Sequence, residues 1–487
     1  MDTTQGGTPV PPRSKPTLII AIVVVIIVVV SGVAVALYYQ GQNQKTSSAP
    51  KKVTISVWDS SASGGESTAF NTSVALFEAQ HSNITLDITH GVAVGTSNFA
   101  TDATSHTAPN VYRDSSDNGG ALYSAGLVVN LSQYLGSSFT GNFTTGTISD
   151  WTLHGALYGV PVNTNGIALY YNKLLVPNPP KNTYQMIQDA LNVTHMGSSY
   201  LGLPYAIGAT YGYRFATWYP AFGGELFNTS GYPELNSSHD IAAMSFVWNW
   251  TKVYGVDKAG LSSELDEQTY FEGNYSAFML DGPWDQSTYM KYLGNNLGVA
   301  AIPFDNHTGK WPLPLWGSIG YLVSNHAASG ASSAQVWASV QFVKAMTNYT
   351  AQLNLFNKAG DFPSLNSVGS YISAHPGNDP LVSGWIAQEQ HTQKFPNIPQ
   401  MAFYWNAFHI GASNLEQNST TVTPTDAMNQ IESQIISALI ANNVPYDSYG
   451  FILTSFSQGV SELVSAGVYA NSVFVAVPIK QFIPLFY

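Results

Sequence analysis

The chain of 487 residues contains no cysteine. Disulfide bonds, thiolate metal sites and a cysteine nucleophile are therefore excluded. Stability must come from packed cores instead, and a chain of this length is long enough to build two or more domains around large cores.

Charged residues are scarce, because Asp, Glu, Lys and Arg make up only 9% of the chain, against about 25% in ordinary globular proteins. Lys and Arg number 17 against 29 acidic residues, and the longest basic run is Lys51–Lys52. Phosphate neutralisation needs clustered Lys and Arg, so we predict no nucleic-acid partner. The polarity comes from neutral side chains, which fits an ordinary secreted surface or one that tolerates acid. We favour the second interpretation, the cell surface of an archaeal acidophile.

Sequence signatures of catalysis are also missing. The chain has no G-x-x-x-x-G-K-[ST] phosphate loop, no G-x-S-x-G nucleophile turn and no H-E-x-x-H metal motif. Asp281 and Asp285 flank Gly282–Trp284 without any mark of an acid and base pair. A glycosidase needs two carboxylates about 5 to 10 Å apart, so it stays open as an alternative. We predict that the chain is not an enzyme and that it has no cofactor and no metal.

One long apolar run is present near the N-terminus, at residues 17–39. About 20 apolar residues cross a bilayer as a helix, and Arg13 and Lys15 before the run predict a cytoplasmic N-terminus, residues 1–16. We expect a single-pass membrane anchor with the bulk of the chain outside the cell. The alternative is a cleaved signal peptide, for which Ala34–Ala36 offers a cleavage pattern. Residues 40–52 are predicted to be a polar linker.

The rest of the chain carries twelve Asn-x-Ser/Thr acceptor patterns, all after the apolar run, which agrees with an extracellular location. These candidate glycosylation sites are Asn71, Asn83, Asn130, Asn142, Asn192, Asn228, Asn236, Asn249, Asn274, Asn306, Asn348 and Asn418.

Hydrophobic periodicity predicts an α/β fold. Residues 52–58 alternate apolar and polar side chains like a strand, 67–80 carry apolar residues at helical spacing, and 84–88 alternate again. This strand–helix–strand order is the unit of a parallel sheet. Further strands are predicted at 108–112, 156–162, 167–171 and 276–280, and further helices at 240–254 and 333–349. Residues 444–487 form an apolar, aromatic C-terminal extension whose role stays open.

Aromatic residues are abundant, with 28 Tyr, 23 Phe and 11 Trp. A sugar ring has apolar C–H faces and a rim of hydroxyl groups, so its site needs flat aromatic platforms with polar side chains around them. Trp284, Trp316 and Trp405 lie in Gly- or Pro-containing turns, where a core role is less expected. We predict that they line a sugar-binding cleft.

Three segments carry a more specific signal. They are Leu169–Lys181 (LYYNKLLVPNPPK), Ala277–Trp284 (AFMLDGPW) and Phe395–Trp405 (FPNIPQMAFYW). In sequence, order and spacing they are similar to the family of extracellular solute-binding proteins of ABC importers, and in particular to its maltose- and maltodextrin-binding branch. A looser likeness extends from about residue 53 to residue 443.

The resemblance implies two α/β lobes of the type II periplasmic-binding-protein kind, joined by a hinge and closing on a ligand between them. It implies one lobe from residues 53–163 plus 320–370 and a second from 164–319 plus 371–443. It also implies an ABC transporter permease as the partner.

The same resemblance implies the site residues. Trp284 and Trp405 match the family's sugar-stacking tryptophans, and Asp117 matches a carboxylate that bonds sugar hydroxyls. Tyr211 and Tyr213 are both candidates for a tyrosine that stacks from the second lobe.

The chain departs from the family pattern at four places. Asp114 replaces a stacking Trp, Asn118 replaces an Arg, Asn165 replaces a Glu, and Ala62–Ser63 replace a charged pair. The scaffold is therefore expected to match more closely than the ligand. We predict an oligosaccharide receptor of the maltodextrin type; the alternatives are a receptor for another solute and a surface or adhesion protein built on the same fold.

Overall fold

The computed structural model describes residues 52–61, 64–229, 231–261, 263–375, 381–418, 420–442 and 444. Outside these ranges lie the predicted cytoplasmic segment 1–16, the anchor at 17–39, the linker at 40–52 apart from residue 52, the pair Ala62–Ser63, and the extension at 444–487 apart from residue 444. Within them, no helix is both long and apolar enough to span a bilayer.

Strands and helices alternate along the described chain, as the periodicity predicts. The strands are β1 Val53–Asp59, β2 Ile84–His90, β3 Val111–Ser115, β4 Thr152–Leu153, β5 Ala156–Leu157, β6 Gly159–Asn165, β7 Ala168–Asn172, β8 Phe278–Asp281, β9 Leu297–Ala300, β10 Leu315–Val323 and β11 Gln393–Lys394. The first helices are α1 Gly64–Gln80, α2 Thr96–Thr104, α3 Ser116–Ser124, α4 Ser137–Thr140, α5 Thr145–Asp150, α6 Thr183–Thr194, α7 Tyr219–Phe222, α8 Ser238–Asn249 and α9 Glu264–Glu272. The later helices are α10 Gln286–Leu293, α11 His326–Ser329, α12 Ser333–Met346, α13 Tyr349–Ala359, α14 Asn366–Ala374, α15 Val382–Glu389, α16 Tyr404–Gln417 and α17 Pro424–Ala441.

A six-stranded mixed sheet organises the first core. Its order is β11-β10-β3-β1-β2, and β6 also pairs with β10. β1 is parallel to β2 and β3, whereas β10 is antiparallel to β3 and β6. Inward side chains such as Ile55 and Val57 are fully buried, and the core collects residues from Ile55 to Val162 and from Ile319 to Val382.

A three-stranded antiparallel sheet of order β8-β7-β9 organises the second region of the chain. Successive side chains of a strand point to opposite faces, and β7 uses both. Leu169 and Tyr171 enter a large core that extends to α16 and α17. Ala168 and Tyr170 enter a smaller core with Trp385. The lobe limits given by the resemblance stay a prediction.

Some element boundaries differ from the sequence prediction. The strand predicted at 108–112 begins only at Val111, because the backbone of Ala108 and the side chain of Asn110 bond to neighbouring segments. The strand predicted at 156–162 is divided at Tyr158 into β5 and β6. The helix predicted at 240–254 ends as a π-helical turn, Trp250–Tyr254.

Gly65 allows the start of α1 to pack directly on the end of α13. A Cβ atom at Gly65 would lie 2.0 Å from the carbonyl oxygen of Lys358, which is backbone and cannot rotate away. We expect Gly65→Ala to lower the free energy of unfolding by about 1–3 kcal/mol, measured from urea unfolding midpoints. Gly146→Ala in α5 is the matched control, because a Cβ there meets nothing within 4 Å. An equal loss in both variants would contradict this packing argument.

Candidate functional site

Four aromatic side chains form one cluster beside the second core. The ring centroids of Tyr213 and Phe395 are 5.8 Å apart and nearly parallel. Trp284 lies 6.2 Å from Tyr213, and Trp405 lies 6.0 Å from Phe395. We call these four residues the aromatic cluster. Tyr213, Trp284 and Trp405 keep part of their surface accessible, whereas Phe395 is buried.

Local chain geometry fixes both tryptophans. Trp284 follows β8 in a 3-10 turn that begins at Pro283, and its ring lies against the Cα of Gly282, where a Cβ would come within 2.1 Å. The hydroxyl of Tyr170 donates to the carbonyl of Gly282 at 2.8 Å, and this hydrogen bond fixes the turn to β7. Trp405 lies in the first turn of α16, directly after the 3-10 turn Pro399–Phe403.

Carboxyl and amide groups from the first core stand at the end of β3 and the start of α3. Oδ1 of Asp114 accepts from the backbone N–H of Gly95 at 2.9 Å and of Ser115 at 2.8 Å, and from Nδ2 of Asn118 at 3.2 Å. Oδ2 of Asp114 is buried without a partner among the described residues. Burial, followed by the charge of Asp117, raises the pKa of Asp114 to about 7.

Asp117 connects this polar edge to the aromatic cluster. Burial raises its pKa, and hydrogen bonds from the side chains of Ser115 and Trp405 oppose that rise. Burial also raises the pKa of Tyr213, and the charges of Asp117 and Asp281 add to the effect. The structure therefore brings Asp114, Asp117 and Asn118 together with Tyr213, Trp284 and Trp405.

Asn165 and Trp316 lie where the chain passes between the two cores. Asn165 ends β6 opposite Gly317 of β10, and its Oδ1 is buried without a partner in the described part of the chain. The ring of Trp316 packs on Gly166, where a Cβ would come within 1.9 Å. The backbone carbonyl of Trp316 accepts from the N–H of Phe395 at 3.4 Å.

Tyr211 lies apart from the aromatic cluster, although it is only two residues from Tyr213. Its side chain is 51% exposed and stacks on His409 at 4.6 Å. Thr210 and Tyr211 both have a φ of 53°, so the backbone turns in the left-handed region and sends the two tyrosines to different places.

Sequence reasoning missed Phe395 as a member of the site and Asn397 as its support. Phe395 lies between Tyr213 and Trp405. Nδ2 of Asn397 donates to the hydroxyl of Tyr158 at 2.9 Å and to the carbonyl of Asp150 at 3.1 Å, which ties this segment to the first core. Both residues belong to the third resembling segment, so the signal was present but only Trp405 was taken from it.

One group of three carboxylates also comes together in the described chain. Oxygen atoms of Glu264, Asp281 and Asp285 lie within 4.8 Å of one another, directly beside Trp284.

The aromatic cluster and its polar edge can hold a ring that has apolar faces and a hydroxyl rim.

Two main sheets, two main cores and a polar-aromatic site beside the passage between them are features of two-lobed α/β ligand receptors. The sequence profile of the family described as Bacterial extracellular solute-binding protein matches residues 72–382. The chain belongs to this family.

Two curated relatives and two solved structures define the likeness further. The maltodextrin-binding protein MdxE of Bacillus subtilis is 25% identical over 353 residues, covering 69% of this chain and 79% of that protein. The maltooligosaccharide ABC transporter solute-binding lipoprotein of Streptococcus pneumoniae is 26% identical over 262 residues, which cover 52% of this chain and only 59% of that protein. The maltose/maltodextrin-binding domain MalE from Bdellovibrio bacteriovorus bound to maltotriose has a TM-score of 0.72 at 24% identity, covering 80% of this chain and 100% of that chain. The maltose-maltodextrin binding protein of Alicyclobacillus acidocaldarius has a TM-score of 0.67 at 23% identity, covering 79% and 100%. The two-lobed α/β fold predicted from the sequence is confirmed by these likenesses.

Proposed function

We propose that this protein captures a maltodextrin-like oligosaccharide between its two lobes and delivers it to the permease of an ABC importer. The observation that carries the proposal is the aromatic cluster together with Asp117, because it combines stacking faces with a hydrogen-bonding carboxyl group. The two relatives described above are named for maltodextrin and maltooligosaccharides, which supports the same ligand class.

The residues divide into two roles in this proposal. Trp284 and Trp405 stack on sugar faces, and Tyr213 and Phe395 support them from behind. Asp114, Asp117, Asn118 and Asn165 bond the hydroxyl rim. The unpartnered Oδ1 of Asn165 can accept from it, and the unpartnered Oδ2 of Asp114 can donate to it at pH 5, where that carboxyl group is protonated. Trp316 and Tyr211 stay predicted contacts outside the cluster.

Calorimetric titration of the full chain at pH 5 tests the function, with maltose, maltotriose, longer maltodextrins, trehalose and glucose as ligands. We expect saturable binding of a maltodextrin that is recovered unchanged afterwards. A ligand at 100 times its Kd should add about 2.7 kcal/mol to the free energy of unfolding. Appearance of shorter sugars would indicate a hydrolase. Absence of binding to every sugar would contradict the proposal and favour another solute.

We further propose that residues 17–39 anchor the protein in the membrane and that extracellular sequons carry glycans. The asparagines of the twelve sequons are all half-buried or exposed, so none is shielded inside a core. The intact mass of the protein extracted from native membranes tests both proposals. Loss of the first 39 residues would contradict the anchor, and a mass equal to that of the bare chain would contradict glycosylation.

A further inference from the structure

The turn that carries Trp284 is enclosed by the carboxylate group described above. Asp281 ends β8, Asp285 closes the 3-10 turn, and Glu264 opens α9 beside them. We call Glu264, Asp281 and Asp285 the carboxylate triad. Trp284 is separated from Asp281 by only Gly282 and Pro283, and it directly precedes Asp285 in the same 3-10 turn.

Oxygen atoms of the three triad carboxyl groups lie within 4.8 Å of one another. Two ionised carboxylates at that separation repel each other, so this arrangement is most favourable when the group carries a proton. The side-chain donors to Asp281 and Asp285 are neutral groups. The hydroxyl of Tyr289 donates to Asp281, and Nε2 of Gln268 donates to Asp285 at 3.0 Å.

Negative charges around the triad favour the protonated forms of Asp281 and Asp285. The charge of Arg214 lowers the pKa of Asp281, but Arg214 is paired with the buried Glu267. Glu264, Glu272 and Glu66 all add negative potential at Asp285, and Glu264 does so at Asp281. Like charges this close in a low-dielectric setting repel strongly, so the three groups do not all ionise together.

We propose that the carboxylate triad is a proton-binding cluster that positions Trp284, so that the affinity for the oligosaccharide rises as the triad takes up protons. This inference rests on the proposed function, because it assumes that Trp284 stacks on the ligand. Under this proposal, the pH outside the cell controls how tightly the ligand is captured. At high pH the ionised carboxylates separate, and the turn that aims the indole ring opens.

The direction of titration agrees with this geometry. Burial, followed by the charge of Glu264, raises the pKa of Asp285 to about 6 and that of Asp281 well above its usual range. Near pH 5 the protonated forms of Asp281 and Asp285 therefore predominate, and Asp285 ionises as the pH rises through about 6. A group whose pKa differs by one unit between the bound and the free protein changes the affinity about tenfold over that range.

Binding of maltotriose at pH 5 and pH 8 tests the proposal with two triad variants, Glu264→Gln and Asp285→Asn. Asp114 and Asp117 also titrate near the ligand, so the wild-type profile alone is not diagnostic. We expect the wild-type affinity to fall about tenfold between pH 5 and pH 8 and that of each triad variant to fall by less than about threefold. Glu78→Gln, at an exposed position of α1, is the control and should follow the wild type.

A second readout does not depend on the ligand. In the ligand-free chain, the difference in Trp emission between the wild type and Trp284→Phe should change with a midpoint near pH 6, and Glu264→Gln should abolish that change. If neither triad variant alters the pH profile of emission or of affinity, the proposal is wrong. If the emission behaves as expected while no sugar binds, the proposed function fails and the proton cluster stands. If Ca²⁺ restores affinity at pH 8 in the wild type but not in the variants, the cluster holds a cation and the proton proposal is overturned.

Discussion

Replacing Trp405 by Ala should lower the affinity for maltotriose by about 30- to 100-fold, and Trp284→Ala should have a similar effect. Truncating a central aromatic anchor of an interface costs about 2 kcal/mol or more. Trp405 combines two contacts in one side chain, because it packs on Phe395 and hydrogen-bonds to Asp117. Its loss therefore removes a stacking face and also leaves the buried carboxyl group of Asp117 without one of its donors.

Trp337→Ala is the matched control for this experiment. Trp337 lies in α12 and is 50% exposed, so its removal opens no cavity in the cleft. Calorimetric titration at pH 5 should give the wild-type Kd for Trp337→Ala. If the Trp284 and Trp405 variants also bind within about threefold of the wild type, each substitution changes the binding free energy by less than about 1 kcal/mol. The aromatic cluster is then not the ligand site.

The folded protein should be more stable at pH 5 than at pH 8, with a Tm at least about 10 °C higher. Burial raises the pKa of many carboxyl groups. The pKa is about 6 for Asp150 and Asp257, about 7 for Asp114, Asp240 and Glu416, and about 8 for Glu267, and it is raised well above the usual range for Asp281 and Asp361. Each such group binds its proton more tightly in the folded state than in the unfolded chain, so the folded state is favoured in the protonated range.

Stability is then lost as the pH rises from about 4, where these groups ionise in the unfolded chain, to about 6 to 8, where they also ionise inside the protein. One pKa unit corresponds to about 1.4 kcal/mol, so even a small part of these shifts is large beside the roughly 5–15 kcal/mol that is typical of the total stability of a domain. The opposing case is Glu66. Despite its burial, Arg113 holds its pKa below the usual range, so its contribution is lost only as the pH falls through that lowered value.

Thermal unfolding followed by circular dichroism between pH 3 and pH 9 measures this dependence. Asp240→Asn removes one buried titrating group and should flatten the alkaline side of the curve. Asp87→Asn, at an exposed position of β2, is the control and should leave the curve unchanged. A Tm maximum at or above pH 7.5 would contradict the prediction.

The sequence predicted the scaffold well because its signals are local. The alternation of β1 and β2 around α1 is visible over some 40 residues, and the second and third resembling segments contain Trp284 and Trp405 as well as the turns that orient them. Tyr213 could not be separated from Tyr211 in the same way. The left-handed backbone at Thr210 and Tyr211 decides which tyrosine enters the cluster, and no residue there has the usual preference for that conformation.

The carboxylate triad lay beyond sequence reasoning for a different reason. Asp281 and Asp285 were visible as a pair, but Glu264 reaches them only because α9 packs against β8. The role of Phe395 likewise depends on how the segment before α16 crosses between the cores, which Asn397 fixes through Tyr158 and Asp150. Such contacts are set by tertiary packing and produce no periodic pattern in the sequence.

β10 belongs to both halves of the molecule. Its first residue, Leu315, is buried in the second core, whereas Ile319 and the residues after it are buried in the first. The backbone bonds of β10 to β6 hold Gly317 opposite Asn165, so the two connections cannot slide past each other. The pair can still bend, and rotation about it changes the angle between the two cores. Under the proposed function, ligand capture would therefore be reported as a change in that angle.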